Sequence, residues 1–139
     1  MVSRPMDAAV PEERAFRAAR GVVALTDAGG STVCESCVVA DRMLPRMKGL
    51  LGRRELASGE GMLIRPTSSI HTFFMRFPID AVFLSRDGEV LKVKPIVGAW
   101  RARFCRGAHS VLELPAGEAA RRDVAPRAQL EFRKLTPAP

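Results

Sequence analysis

Residues 70–91 read IHTFFMRFPIDAVFLSRDGEVL. They hold four of the seven phenylalanines and one of the two histidines. From 69 to 77 the side chains alternate. His71, Phe73, Met75 and Phe77 share one face, and Thr72, Phe74 and Arg76 the other. The pattern predicts a strand buried on both sides. Pro78 has no amide hydrogen and interrupts pairing. Beyond it, Ile79, Ala81 and Phe83 alternate with Asp80, Val82 and Leu84 as a second strand. Asp87-Gly88 then lies between two apolar runs and predicts a type I′ hairpin turn, with residues 89–93 as the return strand.

Asp80 and His71 are the awkward members of this core. A charge at Asp80 needs partners, and a histidine titrates near neutrality. Two readings stay open. In one, Asp80 caps backbone amides after Pro78 and His71 is a hydrogen-bonded structural histidine. In the other, both line the mouth of a pocket.

The chain of 139 residues is long enough for one real core. It reads as a flexible N-terminal extension over 1–20, a single globular domain over 21–135 and a tail over 136–139. No apolar run approaches the roughly 20 residues that span a bilayer. The N-terminus lacks the apolar region of a secretory signal, so the expected compartment is the cytoplasm. Three cysteines, an odd number, do not make a disulfide framework. Net charge is +7. Between 76 and 106, Arg76, Arg86, Lys92, Lys94, Arg101, Arg103 and Arg106 outweigh Asp80, Asp87 and Glu89, so the excess lies in the middle of the chain.

The flanking sequence predicts a short helix over 11–20, strands over 22–26 and 31–40, and an amphipathic helix over 42–51. Met43, Leu44, Met47, Leu50 and Leu51 form that helix's apolar stripe, and Asp41 is its N-cap. A strand follows at 62–65. Trp100, Ala102 and Phe104 alternate with Arg101 and Arg103, as in a half-buried strand with the aromatics inward. Further elements are a strand at 110–114, a short helix at 115–122 and a last strand at 129–132. The fold class is α+β, dominated by β: a mostly antiparallel sheet or partial barrel with one amphipathic helix and one short helix.

An ordered set of motifs runs through the chain. It comprises Arg46-x-x-Gly49-Leu50-Leu51-Gly52-Arg53, Gly59-Glu60-Gly61-Met62-Leu63, IHTFFMRFPIDAVFL, Asp87-Gly88, and LELPAG at 112–117. This set resembles the domain of unknown function 192 family, a widespread prokaryotic family, over about residues 22–132. The resemblance implies a compact, β-rich α+β fold and no established activity, substrate or cofactor. The matching positions are Arg46, Gly49, Arg53, Gly61, Met62, Met75, Asp80, Gly88, Glu113, Pro115 and Gly117. Gly61 and Gly88 suit turns. Arg46, Arg53, Asp80 and Glu113 would form an ion-pair and hydrogen-bond network.

Three constellations could carry chemistry. On an extended strand, Cys34 and Cys37 face opposite sides about 10 Å apart, beyond the roughly 7 Å that a disulfide spans between Cα atoms. With Cys105 and His109 they supply a Cys3His set of metal-like spacing, whose functional reading is a structural zinc. Small buried cysteines and a turn histidine, with no cofactor, are the plainer expectation. His71, Asp80 and Glu113 are the candidate catalytic groups, provided that they converge. No nucleophile elbow, P-loop or HExxH motif is present.

The candidate ligand-binding residues are Arg46, Arg53, Lys92, Lys94, Arg101, Arg103 and Arg106, suited to an anionic partner. The lack of tyrosine and the core-like placement of the aromatics argue against base stacking. The preferred reading is a non-enzymatic binding or accessory protein of unknown partner. The alternatives are a small hydrolase- or lyase-like enzyme using His71 and Asp80, and an anion or nucleic-acid binder.

Overall fold

The computed structural model describes residues 21–40, 56–72 and 75–134. The helices expected over 11–20 and 42–51 lie outside the described residues, as do Arg46, Arg53, Phe73 and Phe74. The strands are β1 (Gly21–Asp27), β2 (Thr32–Ala40), β3 (Glu60–Ile64), β4 (Ser69–His71), β5 (Ile79–Leu84), β6 (Val90–Val97), β7 (Ala102–Phe104), β8 (Ser110–Pro115) and β9 (Leu130–Lys134). One short helix, α1 (Glu118–Arg121), follows β8.

Seven strands form one sheet in the order β6-β5-β8-β3-β2-β1-β9, and β4 and β7 form a separate two-stranded ribbon. Only β2 and β3 run parallel; the other pairs described are antiparallel. The large sheet curls into a half-barrel. Its outer strands meet where Val90 N–H donates to Ala128 O (2.8 Å) and Leu130 N–H to Gly88 O (2.9 Å).

The sequence of β5, IDAVFL, is buried at every position, and so is that of β8, SVLELP. Both faces of the sheet are therefore covered here, and two apolar clusters follow from the alternation. Val82, Leu84, Leu112 and Leu114 point into the curl with Leu25, Cys34, Cys37 and Leu63. Ile79, Ala81, Phe83 and Val111 point the other way, to Met62, Ile70, Met75 and Phe77. Each large side chain sealed this way stabilises the fold by about 1.5–3 kcal/mol.

Several expectations are corrected. Of the strand expected over 69–77, Ser69–His71 is a strand, whereas Thr72 and residues 75–77 are not, and Met75 N–H donates to Thr72 O (3.2 Å) instead of to a neighbouring strand. The Asp87-Gly88 turn is not type I′, which needs positive φ at both residues. Gly88 alone has it (φ 93), and Gly88 N–H donates to Ser85 O (3.1 Å). Gly61 lies in β3, not in a turn. A Cβ there would meet Cys34 Sγ at 2.9 Å and Glu113 O at 3.1 Å, so close approach is what requires glycine. The short helix begins three residues later than expected, after Gly117 in the left-handed region (φ 85). Among the described residues no helix is long and apolar enough to cross a membrane.

Candidate functional site

Asp80 is 0% exposed. Its Oδ1 accepts Ile96 N–H (2.8 Å) and Gly117 N–H (3.0 Å), and its Oδ2 accepts Ala119 N–H (2.9 Å). It caps backbone amides, but not those after Pro78. Across β5–β8, Asp80 pairs with Leu114 while Glu113 pairs with Ala81. Successive residues point to opposite faces, so the two carboxylates lie on opposite sides of the sheet. Glu113 sits on the side of Met62 and Ala81, and burial pushes its carboxyl up to about 8. His71 is exposed on the separate ribbon, while its neighbour Ile70 is buried. Asp80 and Glu113 therefore do not share a cleft, and His71 faces outward.

The four metal candidates are also divided. Cys34 and Cys37 are in the cluster inside the curl, whereas Cys105 packs against the other cluster. His109 lies just beyond it, its N–H donating to Leu84 O (2.8 Å). Among the described residues no group of three or more His, Cys, Asp or Glu is placed to hold a metal ion.

Five of the basic candidates, Lys92, Lys94, Arg101, Arg103 and Arg106, lie on or next to β6 and β7. Ile70 opposes Arg103 in the β4–β7 ribbon, with Ser69 opposite Phe104 and His71 opposite Ala102. Ile70 faces the core, so Ser69, His71, Ala102 and Phe104 form the outer face, and all four are exposed. Trp100 is 56% and Phe104 57% exposed. The aromatics expected inward thus point outward, a correction with a clear cause. Thr72 is sealed and clamps the segment before β7. Its Oγ1 donates to Gly98 O (2.6 Å) and accepts Arg101 N–H (2.9 Å), and its carbonyl accepts Trp100 N–H (3.0 Å). Held this way, Trp100 takes a positive φ of 59, which reverses the inside–outside pattern downstream.

Lysines and arginines lie beside this segment. Lys92 pairs with Phe83 and Lys94 with Ala81, so both lie on the sheet face toward the ribbon. Lys92 Nζ donates to Phe104 O (3.3 Å). Arg101 and Arg106 are exposed and Arg103 is half-buried. No acidic residue occurs from 90 to 112.

The matching family model covers residues 24–132, most of the chain. The chain belongs to the DUF192 family, described as "Uncharacterized ACR". Among curated proteins, none matches it. Two solved structures share this DUF192 chain's fold. One is a Sinorhizobium meliloti 1021 protein described as a "putative transcription regulator", 27% identical, with TM-score 0.71, covering 82% of this chain and 94% of that one. The other is a Novosphingobium aromaticivorans protein of unknown function, 24% identical, with TM-score 0.68, covering 84% and 96%.

Sequence reasoning missed three residues. In the sequence Thr72 is only one position of an alternating pattern. The alternation around Trp100 points its ring inward. Glu118, 2% exposed, was not singled out, although Arg121 and Arg122 at the next helical turn are a readable signal. Its wider role is invisible locally: it accepts Gly59 N–H (2.9 Å) and Ser58 Oγ (3.2 Å), 59 and 60 residues away.

Proposed function

We propose that this DUF192 chain is a non-enzymatic binding domain whose β4–β7 ribbon engages single-stranded nucleic acid. The observation that carries the reading is the pair of exposed aromatic residues, Trp100 and Phe104, beside exposed Arg101 and Arg106 and beside Lys92, whose Nζ reaches Phe104 O, in a stretch with no acidic residue from 90 to 112. Phosphates attract the cations, and unpaired bases stack on the rings; stacking contributes about 1–3 kcal/mol per base. Duplex recognition by a helix has less support, since α1 has only four residues. The likeness to a protein described as a transcription regulator is compatible with this reading. The enzyme reading has less support because Asp80 is occupied by three amides.

Trp100 is the only tryptophan, so its fluorescence reports on the proposed face directly. Titration with mixed-sequence single-stranded DNA and RNA at low salt should quench it saturably. Affinity should fall with salt, the slope being about −0.7 for each phosphate contacted. The double variant Arg101→Ala/Arg106→Ala should bind more weakly with a shallower slope. An unchanged spectrum at low salt, or equal quenching by heparin, which offers no bases, would remove the proposal.

A further inference from the structure

Cys34 and Cys37 were expected to face opposite sides of a strand. Cross-strand register places them together. Val23 pairs with Cys37 and Leu25 with Cys34, so two residues of β2, Glu35 and Ser36, stand against only one of β1, Ala24. This is a β-bulge, with Glu35 and Ser36 as the exposed residues of the distorted span. Both cysteines face inward and are 0% exposed. Two residues of strand span about 6.7 Å. The bulge thus brings the two Cα atoms down to the upper end of the disulfide range, about 4.4–6.8 Å. Gly61, opposite Cys37 on β3, leaves the room that the Cys34 sulfur fills.

We propose that Cys34 and Cys37 are a redox-active dithiol that closes to a disulfide by exchange with a low-molecular-weight disulfide. Cys34 is the attacking sulfur. The Cys37 thiol beside it lowers its pKa against the effect of burial, while the nearness of Cys34 and burial raise that of Cys37 well above the ordinary value. A thiolate at Cys34 attacks one sulfur of the small disulfide. A Cys34 mixed disulfide forms and the first small thiolate leaves. Cys37 then gives its proton to that thiolate, and its sulfur attacks Cys34 Sγ. The second small thiolate departs and takes up the proton first lost by Cys34. Two protein thiols are oxidised to one disulfide, and one small disulfide is reduced to two thiols.

The cover over Cys34 is the turn at residues 57–60, since Cys34 Sγ donates to Gly59 O (3.3 Å). Glu118 holds the turn through Gly59 N–H and Ser58, and Arg121 and Arg122 hold Glu118 (3.1 and 3.6 Å). Access to the sulfur therefore requires only this turn to lift, not the barrel to open.

The experiment uses full-length Cys105→Ser protein, which removes the partly exposed third thiol, with oxidised glutathione under native conditions. The expected product weighs two hydrogen atoms less, has no thiol left after denaturation, retains its circular dichroism and is restored by dithiothreitol. Adding Cys37→Ser should trap glutathione on Cys34, and adding Cys34→Ser should leave Cys37 unmodified. Adding Glu118→Gln should speed closure roughly tenfold by loosening the turn. Two free thiols after prolonged exposure would overturn the proposal. So would equal trapping at either cysteine, or closure at a rate that Glu118→Gln leaves unchanged, the mark of oxidation through global unfolding.

Discussion

Glu113 stands between Met62 on β3 and Ala81 on β5, with Val111 on the same face. Burial raises its carboxyl to about 8, and no cation or hydrogen bond among the described residues offsets the effect. In the unfolded chain the proton leaves near the ordinary value of 4.5. Between those two values the folded state binds more protons than the unfolded one. Stability is therefore complete below about 4.5, declines by up to about 1.4 kcal/mol for each pH unit above it, and levels off beyond about 8. Glu35 and Glu118 act in a different window. Arg122 bonds to Glu35 and lowers its pKa. At Glu118, burial raises the pKa, but the Gly59, Arg121 and Ser58 bonds and the Arg122 charge outweigh it. Their contributions are lost only as pH falls below the ordinary carboxylate range. Urea unfolding of Glu113→Gln should match the parent near pH 4.5 and exceed it by a few kcal/mol at pH 8. A parent whose stability is flat from pH 5 to 8 would refute the assignment.

Asp80 ties three elements together, and its effect belongs at that scale. It lies on β5, receives the amide of Ile96 in the β6 bulge, and receives Gly117 and Ala119 at the start of α1. Ile96 is β-branched with φ 51, a costly backbone that the carboxylate helps to hold. Asp80→Ala strands three amides, each costing about 1–3 kcal/mol where water cannot replace the bond. Chemical denaturation should show a loss of roughly 3–5 kcal/mol. Asp80→Asn should lose less, since its oxygen still accepts Ile96 and Gly117 while its nitrogen cannot accept Ala119. A change below about 1 kcal/mol would sink this account.

The contrast between elements also explains what the sequence disclosed. Alternation and full burial made β1, β2, β3, β5, β6 and β8 readable, because apolar period is the dominant strand signal. The β2 bulge that unites Cys34 with Cys37 was hidden, because cross-strand register sets it and neither cysteine's neighbours encode it. The inversion at β7 was hidden for a similar reason: Thr72, 28 positions before Trp100, imposes the positive φ. Asp80 was recognisable as a residue needing partners, but those partners lie 16, 37 and 39 residues away.

At the scale of the molecule, two sources of attraction for a polyanion compete. A net charge of +7 draws any polyanion to the whole surface, whereas the ribbon draws it to one place. Ligand that binds only the folded state stabilises it, by about 2.7 kcal/mol at a hundredfold excess over Kd. A single-stranded oligonucleotide should therefore raise Tm at low salt, and the rise should vanish as salt screens the phosphates. Two charge-equivalent variants separate the sources. Arg101→Gln removes one positive charge from an exposed position beside the ribbon, and Arg133→Gln removes one from an exposed position on β9, which pairs with β1. If net charge governs, both variants shrink the Tm rise equally. If the ribbon governs, Arg101→Gln shrinks it, Arg133→Gln leaves it near the parent value, and Trp100→Ala shrinks it with no change of charge. Equal loss in the two arginine variants, with Trp100→Ala unaffected, would reduce the binding to the nonspecific attraction of a basic protein.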